Sequence, residues 1–320
     1  MKHAILKTTL ALALAGPAAA WAWGPEGHTV VGDVAATMLT PAAKKQVRAI
    51  LQDKNRRIGD YEVSCWADEI KGAKEYDQLY PDNGLWHFVD FDTFKRYDDD
   101  FELQPPADGQ DVVDQIVRWQ KALANKKASP AQRLDALRFL VHFVGDMHQP
   151  LHCAFRCGDM GGNMIPVNSF KGHAYSFGPN TPMDYPPSIH SVWDESMVLE
   201  LMGGRSRSAF ARFLMEGVDA DQIAWWSQGK PLDWAGDSYW RARKQAYRWT
   251  NGEHLPYKWS RPGMDLTSEN YIDSRLPVAQ EQLQKAGVRL ALLLNEALDP
   301  KYEKPARPEP KPAAPAAEKQ

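Results

Sequence analysis

The stretch Leu137–Asp159, LRFLVHFVGDMHQPLHCAFRCGD, constrains this chain more than any other. Its first half holds no helix breaker except Gly145. On a helix His142 and Asp146, four residues apart, project from one face, one turn above the other. Pro150 ends that helix, because its ring forbids a continuing turn and biases the residue before it away from helix. His152 stands just past the break. Two imidazoles and a carboxylate thus gather at one helix terminus, a set of ligand types that suits zinc. A lone His-x-x-x-Asp is common on solvated or core faces, so its weight depends on matching parts elsewhere.

The 320 residues are 43% apolar and 25% charged, enough for one large core or two smaller ones. Residues 1–22 read as a secretory signal: Lys2, His3 and Lys7 precede an apolar run, Leu10 to Ala15, and Ala20-Trp21-Ala22 offers a cleavage site. The run is too short to be a membrane span. A cut after Ala22 makes Trp23 the mature N-terminus and, with Lys2 and Lys7 gone, takes the formal charge from −3 to −5. That balance argues against tight binding of duplex nucleic acid through phosphate neutralisation alone. Residues 23–300 form the expected folded domain. Residues 301–320, rich in Pro, Ala, Lys and Glu, read as a disordered tail. Of the three cysteines, Cys153 and Cys157 flank a short loop and are expected to pair, leaving Cys65 as a buried apolar residue.

The fold class expected is all-α, a single multi-helix domain with one short hairpin. Val30, Val34, Leu39, Val47, Ile50 and Leu51 mark two helices that meet at Thr40-Pro41, an N-cap followed by proline in the first turn. A short helix spans Tyr61 to Ile70, and Pro81 to Phe91 is extended or loop. Tyr97 to Gln110 is an acidic exposed loop, and helices resume at Asp111 to Ala124 and from Ser129. Gly158 to Ile189 lacks a helical period, with a hairpin expected over Val167–Phe170 and Ala174–Phe177; so long an unstructured segment is usually functional. Beyond Trp193 the pattern is helical with breaks near Gly203, Gly229 and Asn251-Gly252. Leu276, Ala279, Leu283, Ala286, Leu290, Leu293 and Ala297 then make one apolar stripe.

Further ligand types stand in suggestive contexts: Trp23 and His28 in WGPEGH, Asp68 in CWAD, His87 in LWHF, and His190 with Asp194, again at helical spacing. In order and local context this series resembles the S1/P1 family of zinc-dependent nucleases, secreted 3′-nucleotidases and single-strand-preferring endonucleases. The matching motifs run from Trp23 to Asp194, and Ala286-Gly287 and Leu290 to Asn295 are similar too.

The resemblance implies three zinc ions per chain. One is held by Asp68, His87, His142 and Asp146. A second is held by His28, by Asp146 as a bridge, and by the α-amino and carbonyl groups of Trp23. A third is held by His152, His190 and Asp194. An α-amine ligates metal only after a signal has been removed, so the precursor is expected to be inactive. Zinc lowers the pKa of bound water to about 7, which makes hydroxide available for in-line attack on phosphorus. The bridged pair would hold that hydroxide, and the third zinc would stabilise the leaving 3′-oxygen. Asp68 would orient the attacking water or take its proton, and Lys71 would face the phosphate. Phe88 and Tyr185 are implied to stack on the base and Asp90 to meet its edge, recognition that tolerates any sequence. The implied substrates are single-stranded DNA and RNA, cleaved to 5′-nucleotides, and 3′-nucleotides, which lose their phosphate. A secreted or periplasmic monomer without a membrane anchor is expected.

His148 is expected to support ligands or fill the core, and His173 and His254 to lie at the surface. Ser188 stands where the family usually has asparagine. The segment between His152 and Gly161 fits no family pattern, and the Lys171–Pro187 loop is long and proline-rich, leaving pocket shape and base preference open. A zinc-dependent phospholipase C shares the helical architecture and N-terminal tryptophan. It places a glutamate among the third zinc's ligands, whereas this chain has His190-x-x-x-Asp194. A non-catalytic periplasmic zinc-binding protein is the other alternative, disfavoured by the lack of a His-rich tract.

Overall fold

Thr40 and Pro41 make the corner between the first two helices. Helix α1 (Pro25–Thr37) ends before them, and α2 (Pro41–Leu51) starts on the proline, with the Thr40 hydroxyl accepting a hydrogen bond from Ala43 N at 3.1 Å. The computed structural model describes residues 23–93, 103–106, 108–170, 173–174, 187–256, 264–266 and 270–309. In place of the single helix expected over 61–70 come α3 (Tyr61–Ser64) and α4 (Trp66–Glu69), broken at Cys65, whose carbonyl accepts from Asp68 N and Glu69 N. The Pro81–Phe91 segment contains a 3₁₀ turn, Asn83–His87. Helix α5 (Val112–Ala124) is capped by the Asp111 carboxylate. Helix α6 (Pro130–His148) opens on a full capping box, Ser129 with Gln132, and a 3₁₀ turn, Pro150–Cys153, follows its end.

Strand β1 (Val167–Phe170) pairs antiparallel with β2 (His173–Ala174), Ser169 facing Ala174. It also pairs in parallel with β3 (Met264–Asp265), a partner almost a hundred residues away that local pattern could not announce. Then come α7 (Ile189–Ser191), a π-helical turn over Val192–Ser196, α8 (Met197–Met202), α9 (Arg207–Met215), α10 (Ala220–Trp226), α11 (Pro231–Arg241), a second π-helical turn over Ala242–Ala246 and α12 (Tyr271–Leu298). The described residues are helical with little strand, and the all-α class holds. No described helix is long and apolar enough to cross a membrane.

Helix α12 is not a one-sided amphipathic helix. Every residue from Gln282 to Asn295 is buried, polar ones included, because α1, α2, α5, α6 and α8 to α10 pack around it. Most of its buried polar groups are partnered, Gln282 Oε1 being an exception. Gln282 Nε2 donates to His148 O, Lys285 Nζ meets Asp237 and Glu281, and Arg289 Nε donates to Trp226 O. Asn295 accepts from Thr40 N at 2.9 Å and donates to Met38 O at 3.1 Å, tying the helix to the α1–α2 corner.

Two expectations need correction. Cys153 and Cys157 do not pair: Cys153 is buried with its thiol donating to Met147 O at 3.3 Å, while Cys157 is exposed. The Arg156 turn sends one thiol inward and the other to solvent. Cys65 is buried, as expected. Residues 301–309 are also not a free tail. Tyr302 packs on the core, Arg307 lies 4.5 Å over the Trp225 ring, and Pro305 O accepts from Gln228 Nε2 at 3.0 Å. One tyrosine and one arginine decide that placement, which bulk composition averages away.

Asn295→Leu leaves a backbone amide and a carbonyl at the α1–α2 corner without their partner. We expect a loss of about 1–3 kcal/mol, read as a lower urea midpoint at unchanged m-value.

Candidate metal centre

Seven separate elements deliver side chains to one buried region. His28 comes from the first turn of α1, Asp68 from α4 and His87 from the end of its 3₁₀ turn. His142 and Asp146 come from α6, His152 from the turn after it, and His190 and Asp194 from α7 and the π-helical turn. All eight are buried. They form three groups whose ligand atoms lie close together: His28 with Asp68 and His142; His87 with His142 and Asp146; and His152 with His190 and Asp194.

The two pairs at helical spacing meet as their sequence separation requires. His142 Nε2 lies 3.3 Å from Asp146 Oδ2, and His190 Nε2 lies 3.3 Å from Asp194 Oδ2. Asp146 also reaches His28 Nε2 at 3.3 Å and His87 Nδ1 at 2.9 Å, so this carboxylate joins the first two groups. Asp68 approaches His87 and His142 at 3.6 Å each. In the third group His152 Nε2 and His190 Nε2 stand 3.1 Å apart.

Backbone carbonyls set the ring orientations. The Nδ1 atoms of His142, His152 and His190 each lie 2.7 Å from a carbonyl, those of Ser64, His87 and Gly161 respectively. Donation from Nδ1–H leaves the Nε2 lone pair free to face the centre of its group. Gln149 Nε2 donates to Asp194 Oδ1 at 2.5 Å, and Gly24 N donates to Asp194 O at 2.7 Å. The start of α1 is thereby attached to the third group. The Trp23 side chain is fully buried, and a Cβ on Gly27 would lie 2.5 Å from that of Trp23.

These groups suit a divalent ion. Among the described residues thirteen buried side-chain nitrogens and oxygens lack a hydrogen-bond partner, and six of them are here: both nitrogens of His28, Nε2 of His87 and of His142, Asp68 Oδ2 and Asp146 Oδ1. Natural proteins rarely leave such atoms unpaired. Their spacings to the facing ligand atoms, 3.3 to 3.6 Å, are too long for hydrogen bonds at good geometry. They match the roughly 3.3 Å between two ligands of a tetrahedral ion bound at about 2.0–2.1 Å.

The electrostatics agree. Burial lowers the pKa of His28, His87 (to about 4), His152 and His190 (to about 3), so these rings are neutral at pH 7. Burial opposes ionisation of Asp68 and Asp146, but His142 and its neighbours outweigh it and hold both carboxyls well below their usual range. Burial, with the like charges of Asp68 and Asp146, raises Asp194. A cation removes that repulsion. The carboxylates of Asp146 and Asp68 outweigh burial at His142 and raise its pKa, so an ion entering here displaces a proton from His142 and from Asp194, while the other imidazoles are already neutral.

A cavity of about 960 Å³ opens over this wall, lined by His87, His152 and His190 together with Lys71, Phe88 and Asp90. Lys71 Nζ lies 2.9 Å from Asp68 Oδ1. Phe88 is half-buried. Reduced contact with water, together with the charge of Asp159, pushes the Asp90 carboxyl up to about 6. Asn83, Phe155, Met160 and Asn163 also line the cavity and were not singled out from sequence. Tyr185 lies outside the described residues, as does the side chain of His173. His254 is exposed, as expected. His148 is a core residue: its Nδ1 lies 2.7 Å from Val144 O and its Nε2 accepts from Arg289 at 2.8 Å. Ser188 caps α7, its hydroxyl accepting from Ser191 N, and so fixes the turn that presents His190. The segment after Gly158 folds over the third group, Gly161 O binding His190 and Ile165 O accepting from Ile189 N.

Gly145 has a steric reason that the sequence did not disclose. His28 stacks on His142 at 3.9 Å and lies flat on α6, so a Cβ at 145 would sit 2.7 Å from His28 Nδ1. Alanine normally stabilises a helix interior over glycine by about 1 kcal/mol. Here we expect the opposite sign: Gly145→Ala displaces His28 and lowers both the melting temperature and the metal bound per chain, measured by calorimetry and elemental analysis.

The geometry has counterparts among known proteins. Residues 23–299 match the S1/P1 nuclease family model. Nuclease P1 of Penicillium citrinum is 27% identical over 291 residues, covering 86% of this chain and 97% of that protein. Endonuclease 4 of Arabidopsis thaliana is 28% identical over 295 residues, covering 85% and 88%. Nuclease S1 of Aspergillus oryzae is 27% identical over 288 residues, covering 86% and 91%. With nearly the whole described chain inside the match and its buried imidazoles and carboxylates gathered as an ion requires, the protein belongs to the S1/P1 nuclease family of hydrolases.

Proposed function

We propose that the chain is a secreted or periplasmic phosphoesterase with three zinc ions, acting on single-stranded DNA and RNA and on 3′-nucleotides. The observation that carries this is the three buried His/Asp groups, two of which present His87, His152 and His190 to the wall of one cavity. Asp68, His87, His142 and Asp146 would hold one zinc; His28, Asp146 and the α-amino and carbonyl groups of Trp23 a second; and His152, His190 and Asp194 a third. The second set requires removal of residues 1–22. Its support is the burial of Trp23 just before the N-cap of α1, whose first turn carries His28.

Zinc bound here supplies Lewis acidity, which lowers the pKa of water to about 7 and draws charge from phosphoryl oxygens. The chain's own residues do the rest. Asp68, kept ionised by His142 and Lys71, is an acceptor for the proton of the attacking water. The Lys71 ammonium, on the cavity wall beside it, faces the phosphate and compensates its charge. Phe88 offers a ring face to an unpaired base, contact that reads no sequence. Asp90 meets the base edge, and Tyr185 is proposed as the second stacking residue. The buried wall excludes bulk water from the reacting phosphate.

Zinc content near three per chain is expected for protein with a verified Trp23 N-terminus. Release of phosphate from 3′-AMP and cleavage of single-stranded DNA should both fall together on chelation and in His142→Ala. Full zinc loading with neither activity would overturn the proposal.

Asp90 gives a pH signature. Its carboxyl is raised to about 6, so above that pH it is ionised and accepts from an amino group of the base, and below it the acceptor is lost. KM for an adenine nucleotide should therefore rise as pH falls through about 6, a step that Asp90→Asn removes.

A further inference from the structure

A second cavity, about 1180 Å³, lies on the other side of α1 and shares no lining residue with the metal-centre cavity. Thr37 on its wall is nine residues beyond His28, which on a helix is about 13 Å of rise and half a revolution away. Its rim carries Lys44, Arg48, Arg56, Arg57, Arg205 and Arg212, against only Asp33 and Glu216. Asp33 is already engaged: Arg207 Nε lies 2.7 Å from it, and the same guanidinium bonds Asp60 at 2.9 Å. Among the described residues, Lys44, Arg48, Arg56 and Arg212 have no ion-pair partner, and all but the half-buried Arg56 are exposed.

So dense a cationic rim is out of keeping with a chain of net negative charge. Clustered guanidiniums repel one another, and a fold gains nothing from assembling them unless an anion comes between. The floor is apolar, with Val47, Ile58, Met215 and the Phe213 ring, over which Arg205 stands at 4.2 Å. The volume exceeds the roughly 300–1,000 Å³ usual for one small ligand. Cations along a groove, with an aromatic face beneath, are the combination that holds a single strand without reading its sequence.

We propose that this groove between α1, α2 and α9 docks the backbone of a single-stranded nucleic acid at nucleotides remote from the scissile bond. The identity of the occupant rests on the nuclease reading above. Arg48, Arg56 and Arg212 contact phosphates, and the Arg205 guanidinium, backed by the Phe213 ring, offers its plane to a base. The site raises affinity for long strands and leaves short substrates untouched, since a mononucleotide in the metal-centre cavity cannot span both.

The test uses the zinc-loaded protein and the variant Arg48→Ala/Arg56→Ala/Arg212→Ala, with Lys44→Glu as an independent change at an exposed position. For a long oligothymidylate, KM should rise roughly tenfold at low salt in the triple variant. The slope of log affinity against log salt should shrink by about 2, each lost single-strand contact contributing roughly 0.7. Turnover of 3′-AMP and KM for the dinucleotide dTpdT should stay at wild-type values. Unchanged KM for the long strand, or an equal rise for strand and dinucleotide, would overturn the proposal. So would groove-dependent binding to phosphatidylserine vesicles with none to the strand. Fluorescence anisotropy with a non-hydrolysable phosphorothioate strand reads the groove apart from catalysis. Wild-type protein that binds it but does not hydrolyse 3′-AMP would sink the nuclease reading alone, and equal binding by wild type and variant would sink the groove.

Discussion

The removal of Asp68, Asp146 and their facing imidazoles from water is the constraint on which the rest of the structure depends. A buried ionised carboxylate costs several kcal/mol unless it is compensated. The folded chain supplies some of that compensation through His142 and Lys71 and leaves other ligand atoms without a partner. Holding such a group requires stiff supports on all sides. The α6 terminus is fixed by α12 through Gln282 on the His148 carbonyl, and α1 is pressed onto α6 with no side chain at Gly145 to separate them. From Gln282 to Asn295 helix α12 is therefore buried on every face: it is the post around which the ligand-bearing helices stand.

The orientation of each ring is set one step further out, by backbone rather than by other side chains. Ser64 O, His87 O and Gly161 O each fix an imidazole, and two of those carbonyls belong to segments that are themselves part of the site. His87 belongs to the second group by its ring and fixes the third through its carbonyl. Asp194 likewise presents its carboxylate to His190 and its carbonyl to Gly24. The groups are coupled mechanically through the main chain, so a displacement in one is felt by the next.

Much of this was legible in the sequence where the information was local. The Thr40-Pro41 corner, the Ser129 capping box, the stop at Pro150 and the His142–Asp146 and His190–Asp194 pairs all follow from spacing and residue type. Motif order brought in Asp68, His87 and His28, whose convergence is tertiary and has no local signal. The losses were also tertiary. Gly145 reads as a breaker until His28 is seen lying on it. Gln149, whose amide holds Asp194, carries no local signal, and the β1–β3 pairing joins residues that share no pattern. Cys153 and Cys157 looked like partners from spacing alone, but a thiol follows the burial of its own turn.

His148 shows why a motif names residue types and not roles. It lies on the same helix as His142, two residues beyond Asp146, and by sequence is as good a ligand as its neighbours. A helix turns about 100° per residue, so His148 points away from Asp146 and toward α12. There Arg289 stands 2.8 Å from Nε2, and burial with that positive charge holds the imidazole pKa well below its usual value. A neutral ring whose Nε2 accepts from a guanidinium has no lone pair left for a metal. One side of the α6 terminus thus faces carboxylates and carries ligands, while the other faces a buried cation and carries a structural hydrogen bond. The same side chain takes either part according to the charge across from it.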